Sequence, residues 1–269
     1  MQRFSLSYLH ARFYRASLYL LAALISACSV SAPLNTPTAT PAQSEWQTLA
    51  PGLELRYYQP GGNYPLTQFA ALRIDPALYT FRAHYSPGAP LRLEAWRERL
   101  PDAAAIVNAN FFDPQGYAQG LLVVDGVLYS QSYQGRGGTV QVQNGVVRVR
   151  SNTLEPYMGE PLEQAVQAFP MLVTNGEASY SAGSNQISRR TVAGQDDSGR
   201  IVLLMTTSLI GMRLSDLSQY LATTDMGLVN AVNLDGGGSS MLAAYPPGAA
   251  PTTFGSFDGV PVVLAAYPR

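Results

Sequence analysis

The run Asn233-Leu234-Asp235-Gly236-Gly237-Gly238-Ser239-Ser240 sets one carboxylate directly before three residues that have no Cβ. It follows Gly227-Leu228-Val229-Asn230-Ala231-Val232, whose apolar pattern reads as the end of a buried strand. Backbone N–H groups without side chains can approach an anion or a sugar closely while Asp235 faces it. The same residues also suit a tight strand-to-helix turn in which Asp235 only caps the helix.

Two other segments carry polar groups at suggestive spacing. In Ile106-Val107-Asn108-Ala109-Asn110-Phe111-Phe112-Asp113 an apolar strand runs into two amides two positions apart, on one face if the chain stays extended. The alternative is that Asn108 and Asn110 satisfy turn backbone. In Ser188-Arg189-Arg190-Thr191-Val192-Ala193-Gly194 adjacent arginines on a strand point opposite ways, so at most one enters a site. The alternative is a pair of solvated arginines flanking an edge.

Several chemistries are excluded by what the chain lacks. No lysine occurs, which removes Schiff-base catalysis and a P-loop lysine. His10 falls in an N-terminal signal-like segment, and His84 sits in a loop-like stretch with no partner nearby in sequence, so a Ser-His-Asp triad has little to build on. A zinc site of the usual His/Cys kind has too few ligands. No calcium-loop motif appears; scattered carboxylates leave room for a divalent cation without a motif to hold it. Charged residues are 13% and the formal net charge is -1, so nucleic acid is a poor partner. Carboxylates, amides, arginines and tyrosines remain. They suit glycoside hydrolysis by carboxylates and the recognition of a phosphodiester by the planar guanidinium fork.

The elements that must position these groups are mostly strands. Val140–Gln143 and Val146–Arg150 flank Asn144-Gly145, a signature of a type I′ hairpin, and Leu121–Val124 and Val127–Tyr129 flank Asp125-Gly126 likewise. The run from Gly199 to Met205 reads as a strand covered on both faces. Helices are expected over 92–100, ending at Pro101, and over 215–226, with Ser215 as cap and Gly227 just past the end. The pattern predicts an α+β single domain: a curved mixed β-sheet core with a few packed helices and β-hairpins.

The N-terminus has arginines at 3, 12 and 15, then an apolar run from Leu18 to Ile25, then Ser26-Ala27-Cys28. It reads as a lipoprotein signal peptide over 1–27, with Cys28, the single cysteine, as the lipidation site. Residues 28–45 read as a disordered Ser/Thr/Pro/Ala tether, leaving 46–269 as the folded domain. The expected address is therefore export across the bacterial inner membrane and lipid anchoring at the cell envelope.

Together the three polar segments resemble the phosphodiester glycosidase domain family, which includes the enzymes that remove N-acetylglucosamine from a sugar phosphodiester and bacterial relatives once described as exopolysaccharide-biosynthesis proteins. The shared pattern is a strand ending in Asn108-Ala109-Asn110-Phe111-Phe112, a Gly-rich return from Gly120 to Gly126, Arg190-Thr191 before a central strand, and Asn233-Leu234-Asp235-Gly236-Gly237-Gly238-Ser239. The resemblance runs from about residue 65 to the C-terminus. It implies hydrolysis of the glycosidic C1–O bond of a sugar 1-phosphodiester. Asp235 would act at C1 as nucleophile or base, Arg190 would hold the phosphate, and Asn110 would complete the catalytic group. Asn108, Thr191, Asn233, Gly236, Gly237, Gly238 and Ser239 would bind substrate. A second carboxylate would come from Asp113, Glu177 or Asp196. The rival expectations are a lipoprotein that binds an envelope glycan without cleaving it, or a factor of exopolysaccharide assembly that transfers rather than hydrolyses. No cofactor is expected.

Overall fold

The computed structural model describes residues 45–181 and 186–269. The expected signal peptide, Cys28 and the expected tether up to residue 44 lie outside the described residues. In chain order the first elements are β1 (Gln47–Ala50), β2 (Leu53–Tyr58), β3 (Phe69–Ile74), β4 (Tyr79–Tyr85), α1 (Leu93–Arg99) and β5 (Ala105–Asn108). Then come β6 (Leu122–Val124), β7 (Val127–Ser130), β8 (Gly138–Gln143), β9 (Val146–Ser151), β10 (Gln164–Ala168), β11 (Met171–Thr174) and β12 (Glu177–Ala178). The last are β13 (Thr191–Asp196), β14 (Ile201–Thr206), α2 (Leu214–Thr223), β15 (Leu228–Asn233), β16 (Leu242–Ala244), β17 (Thr252–Phe254) and β18 (Val262–Pro268).

The strands form an eight-stranded sheet in the order β1-β2-β3-β14-β13-β15-β11-β12 and two five-stranded sheets, β7-β6-β10-β8-β9 and β17-β16-β5-β18-β4. The described residues are thus mostly β-sheet with few helices, and the sheets are open. The expectation of one mixed sheet is corrected on two points. There are three sheets, and every pairing between described strands is antiparallel. A parallel neighbour needs a crossover of a dozen or more residues, usually helical, and the two α-helices are only 7 and 10 residues long.

Burial follows from strand alternation. In β14, Ile201, Leu203 and Met205 enter the large core shared by all three sheets, while Val202 and Leu204 enter a second core beneath α2. Each face of that strand therefore meets another apolar layer, which is why its sequence is a continuous apolar run. In β5, Ala105 and Val107 face the shared core and Ile106 packs with Leu93 and Trp96 of α1. The Trp96 indole donates to the Val260 carbonyl at 3.0 Å, so its one polar atom is satisfied on burial.

The hairpin turns form as their sequences direct. Asn144 and Gly145 have φ of +52° and +72°, as do Asp125 and Gly126 at +50° and +80°, the left-handed pair a type I′ turn requires. The cap of α2 differs from expectation. Its N-cap position falls on Arg213, two residues before Ser215, with no side-chain cap. Ser218 on the buried face instead anchors the helix, donating to the Leu172 carbonyl at 2.6 Å.

Candidate active site

Strand register brings the polar segments together. β13 starts at Thr191 and β15 ends at Asn233, and the two pair antiparallel with Val192 opposite Asn233. The residue just before β13, Arg190, is thereby set beside the residues just after β15. Leu234 donates to the Thr191 carbonyl at 2.8 Å, and Gly237 to the Arg189 carbonyl at 2.9 Å.

The end of β5, from another sheet, fastens this junction. The fully buried Asn108 amide donates from Nδ2 to the Asp235 carbonyl at 2.7 Å. Its Oδ1 accepts from the Thr191 hydroxyl at 3.0 Å and from the Met241 amide at 2.9 Å. The Asp235 amide donates to the Ala109 carbonyl at 3.0 Å. The backbone on both sides of the carboxylate is thus held by the segment 108–109, which fixes where Asp235 points.

The three glycines after Asp235 have separate reasons. A Cβ on Gly236 would lie 2.8 Å from the Arg189 carbonyl oxygen, and one on Gly238 would lie 1.9 Å from the Asp258 Oδ2. Gly237 has φ of +61°, in the left-handed region. The segment Gly237–Ser239 is a single 3-10 turn. The expected anion cradle is largely closed by the protein itself. The Gly236 amide donates to the Asp235 Oδ1 at 2.9 Å, the Gly237 amide to Arg189, and the Ser239 amide to the Gly236 carbonyl at 3.1 Å. A donor already held by a protein acceptor offers little to an anion.

These elements open a cleft of about 640 Å³. Asp235, Asn233, Arg190, Gly236 and Gly237 line it, with Ser188, Gln186 and Tyr180 on the polar side and Phe111, Phe169, Met171 and Leu214 on the apolar side. From a further loop come Gly135, Arg136 and Gly137. Burial pushes the Asp235 carboxyl up to about 6, against hydrogen bonds from the Ser239 hydroxyl and the Gly236 amide that pull it down; the Asp258 carboxylate adds to the rise. An acid held near neutrality can act in either protonation state in that range.

Arg190 is buried, and its Nε and Nη2 donate to the Met212 and Gln186 carbonyls at 2.9 and 2.8 Å. Among the described residues no carboxylate pairs with it, and burial lowers its pKa. Arg189 points elsewhere: its Nη2 donates to the Ser240 carbonyl at 3.2 Å and its guanidinium lies 4.6 Å from the Phe257 ring. One arginine of the pair lines the cleft, although both stand just before β13 rather than within it. Asn233 donates from Nδ2 to the Phe169 carbonyl at 3.0 Å, while its buried Oδ1 has no partner among the described residues. That leaves an acceptor at the cleft.

Other expected site residues stand behind the wall. Thr191 and Asn108 bond one another beneath the Asp235 loop. Asn110 turns its Nδ2 to the carbonyls of Gln119, Leu121 and Gln167 at 3.2, 3.1 and 3.1 Å. None of the three candidates for a second carboxylate lines the cleft. Asp113 accepts from the Gln115 and Tyr117 amides, Asp196 pairs with Arg200 at 2.7 Å, and Glu177 is exposed on β12. The carboxylate that acts on Asp235 is Asp258, which the sequence reading missed although it too stands before a glycine, in Asp258-Gly259.

A sequence profile of the family described as phosphodiester glycosidase matches residues 101–265. The chain is 32% identical over 159 residues to the bovine N-acetylglucosamine-1-phosphodiester alpha-N-acetylglucosaminidase, covering 55% of this chain and 28% of that protein. It is 30% identical over 215 residues to the mouse protein of the same name, covering 65% of this chain and 40% of that one. The chain therefore matches less than half the length of these relatives. Among solved structures, the zebrafish catalytic domain of that enzyme, auto-inhibited by its pro-peptide, superposes with a TM-score of 0.64 at 18% identity, covering 84% of this chain and 87% of that one. A hypothetical protein from Synechocystis gives 0.62 at 16% identity, covering 84% and 64%. At such identities the structural likeness speaks for the fold.

Proposed function

The chain belongs to the phosphodiester glycosidase family, and on that footing we propose that it hydrolyses the glycosidic C1–O bond of a sugar 1-phosphodiester in a cell-envelope or environmental glycan. The observation that carries this reading is Asp235, a carboxyl raised to about 6 in a cleft that also presents the Arg190 guanidinium. A carboxylate and an unpaired cation in one cleft suit a substrate whose reacting carbon bears an anionic leaving group.

In this reading the phosphate lies toward Arg190, and the ionised Asp235 acts at C1 as nucleophile or as the base for water. The departing phosphomonoester has its second pKa at about 6 and leaves without full protonation by the protein. This removes the strict need for a second carboxyl acid that most glycosidases have. The Asn233 Oδ1 receives a hydrogen bond from a sugar hydroxyl or amide. Asn108 and Thr191 act at one remove, holding the backbone that carries Asp235, and Asn110 ties the 119–121 return to Gln167. The proposed location at the envelope, through lipid on Cys28, rests on the sequence of residues 1–45.

The test is turnover of a panel of sugar 1-phosphodiesters by the full chain. The N-acetylglucosamine diester comes first, since the vertebrate relatives are named for it. The expected products are free sugar and phosphomonoester in equal amounts, with no turnover by Asp235→Asn. A competing acceptor alcohol that diverts the sugar into a new glycoside would make the reaction a transfer. Lack of turnover across the panel, with intact binding of the diesters, would reduce the protein to a glycan-binding role.

A further inference from the structure

Arg190 alone is a poor phosphate grip. Its side-on fork, the Nε and Nη2 edge that matches two phosphate oxygens, is turned toward the Met212 and Gln186 carbonyls. A second guanidinium lines the same cleft. Arg136, exposed, lies 3.9 Å above the centre of the Phe169 ring. Stacking engages the face of a guanidinium and leaves its N–H edge available. Among the described residues Arg136 has no ion pair, and its side chain donates no hydrogen bond.

The loop that carries Arg136 is held firmly. Gln167, fully buried, accepts from the Leu121 and Tyr133 amides at 2.8 and 2.9 Å. Its Nε2 donates to the Tyr133 and Arg136 carbonyls at 2.8 and 3.0 Å. One side chain thus ties four backbone groups, including the carbonyl of Arg136 itself. A Cβ on Gly137 would stand 2.0 Å from the Ala168 carbonyl oxygen, so the loop lies hard against the end of β10. Phe169, under the guanidinium, is braced by Phe111 at 4.7 Å and Tyr133 at 5.6 Å between ring centres. A fixed loop, a fixed ring and an unpaired cation at a cleft are the parts of an anion site rather than of a solvated surface arginine.

We propose that Arg136 is the outer arm of a two-arginine clamp on the phosphate, and the residue that sets the preference for phosphodiesters over neutral glycosides. The substrate assignment rests on the proposed function; the anion site is measurable without it. Arg136 contributes the side-on fork that Arg190 has turned to the backbone, and the buried Arg190 contributes end-on contact from within. Gln167 is a positioning residue for the arm.

The experiment compares the full chain with Arg136→Gln and Arg136→Lys. Binding of inorganic phosphate is measured by calorimetry, alongside turnover of a sugar 1-phosphodiester and of a neutral aryl glycoside of the same sugar. Loss of charge-assisted hydrogen bonds is expected to weaken phosphate binding and raise KM for the diester by about tenfold to a hundredfold in the glutamine variant. Its kcat/KM for the diester should fall by more than its kcat/KM for the neutral glycoside, so that the preference for the diester shrinks. The lysine variant recovers only part, since an ammonium lacks the planar fork. Melting temperatures equal to the parent's would show that the exposed side chain was removed without loss of fold. Phosphate binding by the glutamine variant equal to the parent's overturns the assignment, even if diester turnover stands. Loss of phosphate binding in a protein that turns over no diester upholds the site and overturns the proposed reaction instead.

Discussion

Replacing Asp235 with asparagine separates what the carboxylate does in the proposed reaction from what it costs the fold. The carboxyl is raised from 3.8 to about 6. At 1.36 kcal/mol per unit, a rise of about 2 units gives the ionised group an upper bound of ~3 kcal/mol of instability. Asp235 keeps some contact with solvent, so screening brings the figure to about 1–2 kcal/mol. In the unfolded chain this carboxyl ionises near its usual value, and in the folded chain only near 6. Between the two the folded state holds the extra proton, so stability falls as pH rises through that window and the penalty is complete above it. Asparagine does not ionise. The melting temperature of Asp235→Asn is therefore expected to match or trail the parent's at pH 4 and to exceed it at pH 7.5 by about 2–8 °C, at roughly 2–4 °C per kcal/mol for a domain this size. Under the proposed function activity moves the other way: the variant is expected to be inactive and the parent's kcat/KM to climb as pH passes through about 6, since the ionised form is the one proposed to act at C1. Melting curves measured from pH 4 to 8 and a pH–rate profile check both halves. A melting difference independent of pH would refute the raised pKa. A parent rate that falls through this range would refute the role of base or nucleophile.

Asn108→Ala removes three hydrogen bonds from a site with no exposure. At about 1 kcal/mol each, and more for partners left unpaired, urea unfolding is expected to show a loss of ~3 kcal/mol or more. Activity should fall even where the fold is held by low temperature. Gly238→Ala is expected to push the Asp258 carboxylate aside, since the new Cβ would stand 1.9 Å from its Oδ2; the loss of stability should be recovered largely in the double variant with Asp258→Ala, a coupling that a double-mutant cycle reads directly. Gln167→Leu leaves four backbone groups without partners. It is expected to raise KM for the diester although the side chain never reaches the cleft, and a KM equal to the parent's would detach the loop from binding.

Local features of the fold were legible in the sequence, and pairings at long range were not. Asn144-Gly145 states its turn in two letters, because few other residues take the left-handed conformation at both positions. The run ending in β14 likewise announces a strand covered on both faces. Nothing local says that β14 lies between β3 and β13, or that β5 belongs to another sheet, since strand direction and order depend on partners far along the chain. Asp235 and Arg190, which the structure places in one cleft, stood out in the sequence because a carboxylate before a glycine run and an arginine at a strand start are unusual. The roles of Asn108 and Asn110 were not, since an amide serves backbone and ligand with the same atoms. Arg136 stands in Gln134-Gly135-Arg136-Gly137-Gly138, which reads as a flexible loop. Its rigidity comes from Gln167, 31 residues further on, whose bond to the Arg136 carbonyl no sequence spacing reveals.

The Asn108 junction makes the Asp235 cleft a late product of folding. It ties together positions 83, 127 and 133 residues apart, so the loop-closure entropy of most of the domain must be met before the carboxylate has a seat. A chain still emerging from the ribosome has no seated Asp235 until Met241 is available to complete the junction. In the finished protein, opening of β5 away from β13 unseats the acid without unfolding the outer hairpins. Hydrogen exchange at the Met241 amide should therefore keep pace with loss of the proposed activity, and that turnover would be a gauge of how often the three sheets come apart.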